Sequence, residues 1–130
     1  MRSFLWREFK FTSSLQFSPF IKLLLDSVEC NETFDRLELG LHEALVNAAL
    51  HGNAGDITKP IRVRMITTPN WLIWQVQDQG NGIPTESRIS TLPNDLEAES
   101  GRGLFLIHKC FDDIRWSKEG NRLQLASRRN

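Results

Sequence analysis

His42-Glu43-Ala44-Leu45-Val46-Asn47-Ala48-Ala49-Leu50-His51-Gly52-Asn53 closes the longest apolar periodicity in the chain. Phe34, Leu37, Leu41, Ala44, Leu45 and Ala48 recur at three- and four-residue steps. That spacing predicts an amphipathic helix capped by Asn31 or Thr33 and ended by Gly52. Glu43 and Asn47 lie four residues apart and share one face, beside the apolar stripe, and His51 continues the row. A carboxylate and an amide that border a core can look into a cleft beside it. There Asn47 offers a hard carbonyl oxygen to a divalent cation, and Glu43 can take a proton. The plainer reading is a solvated pair on a helix surface.

Outward from this helix, Ile61, Val63 and Met65 alternate with Arg62 and Arg64, and Pro69-Asn70 turns the chain into a second apolar run at residues 71–77. This reads as a hairpin of half-buried strands. Residues 4–11 suit a first strand, and residues 15–28 a helix with Phe20, Leu23, Leu24 and Ser27 at helical spacing after Pro19. Leu104, Ile107, His108 and Phe111 mark a third helix. Residues 114–117 and 123–127 flank a turn at Glu119-Gly120-Asn121 as a second hairpin. Residues 85–100, with Ser87, Ser90, Pro93, Asn94 and Asp95, read as a loop. The order β-α-α-β-β-α-β-β predicts an α+β (α/β) sandwich of two layers, a mixed sheet with all helices on one face.

The 130 residues fit one domain, 1–130, and the 40% hydrophobic and 25% charged fractions are those of an ordinary globular protein. No apolar run approaches the roughly 20 residues that cross a bilayer, and Arg7, Glu8 and Lys10 break any secretory core, so a cytoplasmic, membrane-free protein is expected. Cys30 and Cys110 form neither a disulfide framework nor a zinc motif. Sixteen Lys and Arg balance sixteen Asp and Glu. That balance gives no pull toward nucleic acid, so no direct nucleic-acid partner is expected, and Arg128-Arg129 reads as a solvated tail. His42-Glu43 opens a zinc-protease string that fails at Val46. His108 and Cys110 flank Lys109 on a helix that packs on the sheet, where core or surface roles outweigh metal binding. Trp71, Trp74 and Trp116 fall within strands, with packing as their default, and an exposed Trp6 or Trp71 could meet a partner.

Two further segments carry chemistry. Val76-Gln77-Asp78-Gln79-Gly80-Asn81-Gly82-Ile83-Pro84 runs off an apolar strand into two glycines. Asp78 is placed there to accept from an amino group such as that of adenine, while Gly80 and Gly82 let the backbone approach a flat ligand. A Gly-rich turn with a self-satisfied Asp78 is the bland alternative. Glu99-Ser100-Gly101-Arg102-Gly103-Leu104 stands before a helix, where free N–H groups and the helix dipole can meet phosphate, with Arg102 adding charge. It is not a P-loop, and Gly-x-Gly alone is usually a flexible helix start.

Together, Glu43-Ala44-Leu45-Val46-Asn47 with His51-Gly52-Asn53, Asp78-Gln79-Gly80-Asn81-Gly82-Ile83 and Gly101-Arg102-Gly103-Leu104 resemble the N, G1 and G2 boxes of the GHKL ATPase superfamily. Within it, His42 to Ala48 and Gly101-Arg102-Gly103-Leu104-Phe105-Leu106-Ile107 are similar to the anti-sigma-factor serine/threonine kinases. The resemblance implies the Bergerat fold, with a lid at about residues 85–100 closing over ATP. It makes Asn47 the Mg²⁺ ligand, Glu43 the general base and Asp78 the adenine contact, with Gly80, Gly82, Gly101 and Gly103 shaping the pocket. His51, Ile83, Arg102 and Leu104 belong to the same boxes. Where relatives often carry Gly-Thr near adenine, this chain has Gly120-Asn121, which brings Asn121 into the nucleotide site.

The implied activity is an Mg-ATP-dependent protein serine/threonine kinase. It phosphorylates an anti-sigma-factor antagonist of the STAS-domain type, sequesters a sigma factor and forms a homodimer. A nucleotide-gated binding module that transfers no phosphate is the alternative. A detached catalytic domain of a histidine kinase stands third, since no helix pair with a phospho-accepting His precedes the first strand.

Overall fold

A computed structural model describes residues 5–13, 16–82 and 99–129, with backbone alone at 99–102. The elements are β1 (Leu5–Phe11), α1 (Ser18–Leu24), α2 (Asn31–Asn47), β2 (Ile61–Thr67), β3 (Trp71–Gln77), α3 (Glu99–Cys110), β4 (Asp113–Trp116) and β5 (Arg122–Arg128). A π-helical turn, Ala48–Gly52, extends α2. The five strands lie in the order β1-β2-β3-β5-β4, and the helices cover one face as expected.

Every ladder is antiparallel, where the element order predicts a mixed sheet. The physical reason lies in the last hairpin. The connection through α3 does bring β4 back in the direction of β3, but β5 folds between them, so the two parallel strands never touch. The strand alternation works as the sequence implies. Ile61, Val63, Met65, Leu72, Trp74, Val76, Leu123 and Leu125 turn inward and are buried. Met65 and Leu125 flank Trp74 in register, as Val63 and Leu123 flank Val76. Trp74 donates its indole N–H to the Leu24 carbonyl at 3.2 Å and meets the Phe111 ring edge-on at 6.0 Å. The polar atom that a buried indole must satisfy therefore ties α1 to the sheet.

α1 is shorter than residues 15–28, starting beside Pro19, whose fixed φ suits a first turn. The N-cap position of α2 is Cys30, not Asn31 or Thr33. Its buried stripe is Leu37, Gly40, Leu41, Ala44 and Leu45. Gly40 lets α3 come close: a Cβ there would lie 2.5 Å from the Phe111 ring and 2.6 Å from the Cys110 Cβ. Gly40→Ala would gain up to about 1 kcal/mol of helix propensity. Neither neighbour is a flexible chain end, so overpacking of about 1–3 kcal/mol outweighs that gain. We expect a lower thermal midpoint by circular dichroism; an unchanged or higher midpoint would show that α3 yields at no cost. Among the described residues no helix is long and apolar enough to cross a membrane.

Candidate functional site

Helix α2 does not stop at Asn47 but widens into the π turn, where the Asn53 N–H reaches back to the Ala48 carbonyl at 2.8 Å. Such single turns are frequent at functional sites. This one borders a cavity of about 440 Å³ closed by the end of β3, by α3 and by the turn between β4 and β5. Asn47, His51, Asp78, Gly80, Gly82, Leu104 and Asn121 all line it. Residues far apart in the chain, from three short motifs and the turn of the last hairpin, thus meet around one space. Ala44, Ala48, Val76, Leu123 and Trp116 supply an apolar wall, which suits the face of a flat ring.

Asp78 stands one residue past β3. Its N–H continues the ladder to the Asn121 carbonyl at 3.0 Å, and its Oδ1 accepts the Gly80 N–H at 2.7 Å. Burial pushes its carboxyl above the ordinary range, and the Gly80 hydrogen bond offsets part of that rise. The second oxygen lies against Gly52, where a Cβ would approach Oδ2 to 2.2 Å. At Gly80 a Cβ would lie 2.0 Å from the Gly52 carbonyl oxygen. The motif after β3 and the π turn therefore pack backbone on backbone, and side chains there would force them apart. Gly82 has φ +93°, in the region that favours glycine, and rests on the Glu119 carbonyl.

Glu43 does not line the cavity. It sits one turn before Asn47, against α3. A Cβ on Gly103 would lie 3.2 Å from Glu43 Oε2 and 3.3 Å from both Asn47 amide atoms. Both polar side chains therefore lie against the bare Cα of Gly103. α3 begins at Glu99, so Gly101 and Gly103 lie within the helix and not in a loop before it. Two glycines argue against helix in a local reading, but the packing of α3 on α2 carries the turn through them. The first turn, residues 99–102, still leaves amide N–H groups without acceptors inside the helix. The Arg102 side chain, Ile83 and residues 85–98 of the expected lid lie outside the described residues.

Asn121 faces the cavity, and its side-chain oxygen accepts the Ser117 hydroxyl at 3.4 Å. Lys59 and Trp116 line the space unforeseen. Lys59 follows a nondescript turn, and a strand tryptophan reads as core. Asn53, visible in the opening motif but without a role, proves to be fully buried and hydrogen-bonded to three other segments.

These groups fit a nucleotide: an apolar wall for a ring, a carboxylate at its end, and helical N–H groups for phosphate. Among the described residues no group of three or more His, Cys, Asp or Glu could hold a metal ion by itself. Asn47 with phosphate oxygens and water is the kind of set that Mg²⁺ takes. Residues 21–127 match the family model described as the histidine kinase-like ATPase domain. No curated protein matches the chain.

Proposed function

This chain belongs to the histidine kinase-like ATPase domain family, a GHKL-type ATP-binding module, and from that premise we propose that it is a protein serine/threonine kinase acting on an anti-sigma-factor antagonist of the STAS type. The observation that carries the reading is that the Glu43 carboxylate and the Asn47 amide both lie against Gly103. A carboxylate one helical turn from the cavity-lining amide of Asn47 suits proton transfer next to a bound Mg²⁺. ATP supplies the transferable γ-phosphoryl when bound. Asn47 would hold the metal together with phosphate oxygens, Asp78 and the apolar wall would hold the adenine, and Glu43 would accept the proton of the attacking hydroxyl. Positioning and charge neutralisation account for most of such a reaction.

The unphosphorylated antagonist would compete with a sigma factor for this protein, and the added phosphate, about two negative charges, would weaken the antagonist's hold. Incubating the protein with Mg-ATP and a purified STAS-type antagonist tests the reading. One acid-stable phosphate on a Ser or Thr of the antagonist is the expected product. An acid-labile phosphohistidine would point instead to histidine-kinase chemistry. A second reading draws on Glu43 standing outside the cavity lining: a nucleotide-gated module that captures its partner without transfer. Binding of ATP and of sigma factor with an unmodified antagonist would select it.

A further inference from the structure

Asn53 has no exposed surface, and a buried amide is costly unless its polar atoms are met. Here all of them are. Its Oδ1 accepts the Gln79 N–H at 2.7 Å. Its Nδ2 donates to Ser13 Oγ at 2.7 Å and to the Lys59 and Pro60 carbonyls at 3.1 Å each. The orientation is forced, because an N–H can be met only by the oxygen and two carbonyls only by the NH₂. One side chain thus joins the π turn, Ser13 two residues past β1, the segment leading into β2 and the motif after β3.

The consequence falls on Asp78. Three successive N–H groups set its turn: Asp78 to the Asn121 carbonyl, Gln79 to Asn53 and Gly80 to the Asp78 carboxylate. The first ties the turn to β5 and the third is internal. Of the three, the Gln79 bond alone ties it to the α2 side, where Asp78 Oδ2 meets Gly52. With that bond lost, none of the three hydrogen bonds fixes the turn, and the carboxylate it carries, relative to the α2 side.

We propose that Asn53 is the positioning residue for Asp78, and that its hold on Gln79 N–H sets the preference of the cavity for an amino group over an oxo group on the purine ring. This rests on reading Asp78 as the acceptor for that amino group. An amino group donates to the carboxylate, whereas the oxo group of inosine presents an acceptor to an acceptor.

The test is the ratio of dissociation constants for ITP and ATP, each with Mg²⁺, by titration calorimetry on wild type and Asn53→Ala. Wild type is expected to favour ATP at least about tenfold, the worth of one charge-assisted hydrogen bond. Asn53→Ala is expected to bring the ratio to within about twofold, with ATP weakened and ITP nearly unchanged. Lost stability alone would lower the number of binding sites, not the ratio. Should Asn53→Ala fail to fold, Asn53→Ser keeps a hydroxyl toward the Lys59 and Pro60 carbonyls but is too short to hold Gln79 as well, and the same loss is expected. A folded variant with the wild-type ratio overturns the proposal. Wild type that does not discriminate, or binds neither nucleotide, overturns the reading of Asp78 and the proposal with it.

Discussion

Asp78→Asn is expected to weaken ATP binding roughly a hundredfold while making the nucleotide-free protein more resistant to heat at neutral pH. The two effects have one origin. In the folded chain one carboxylate oxygen is committed to the Gly80 N–H, and the other is left for a ligand. An amide keeps one acceptor oxygen and puts a donor NH₂ in place of the other, so with its oxygen on Gly80 it presents a donor to the donating adenine amino group. A hydrogen bond to a charged group is worth about 1.5–3 kcal/mol, roughly ten- to a hundredfold and more, and the upper part of that range sets the hundredfold scale for a half-buried carboxylate.

The gain in stability follows from burial, which raises the carboxyl of Asp78 above its ordinary value of 3.8. Between that value and the raised one the folded protein keeps a proton that the unfolded chain has released. Stability therefore falls as pH rises through the interval and stays lower above it. Asn does not titrate. The advantage of the variant should be small below pH 3.8, open as pH rises and then level off. ATP binding by wild type should weaken as acid protonates the carboxylate. Thermal midpoints and calorimetric affinities across pH check both parts. A variant less stable than wild type at neutral pH would mean that Asp78 supports the turn more than its burial strains it.

Glu43→Gln is expected to lower phosphotransfer to the antagonist by roughly 10²–10⁴-fold, the usual worth of a positioned proton acceptor. ATP affinity should stay within about twofold, because removing a group that acts only in the transition state leaves ground-state binding alone. Glutamine keeps the size and polarity that face Gly103, so the packing of α2 on α3 is preserved, and the substitution removes basicity alone. Glu43 also lies outside the cavity lining, which separates it from nucleotide affinity in a way that Asn47 is not. Equal rates of antagonist phosphorylation by the two proteins would sink the assignment. A parallel loss of ATP binding would instead make Glu43 part of the nucleotide site.

Both experiments bear on residues that the chain displays in short range. Glu43 and Asn47 share a face because a helix repeats every 3.6 residues. Asp78 ends an alternating strand, and Gly80 and Gly82 follow it at once. Local periodicity and turn chemistry are properties of neighbouring residues, and they can be read without knowing where the chain goes next. The covered face of the sheet was legible for the same reason, since the pattern of Ile61, Val63 and Met65 specifies which side must be buried.

What stayed hidden depends on segments that meet only after folding. Nothing local to β4 and β5 says that β5 lies beside β3, and that insertion is what turns an expected mixed sheet into an antiparallel one. α3 runs through Gly101 and Gly103 because α2 packs on it, against the local preference of glycine. Asn53 finds its partners at residues 13, 59, 60 and 79, a set that no window along the chain contains. The residues able to do the chemistry were set by the order of amino acids. Their distances, the burial that shifts Asp78 and the side chain that aims it were decided by tertiary structure, because hydrogen bonds and desolvation act through space and not along the chain.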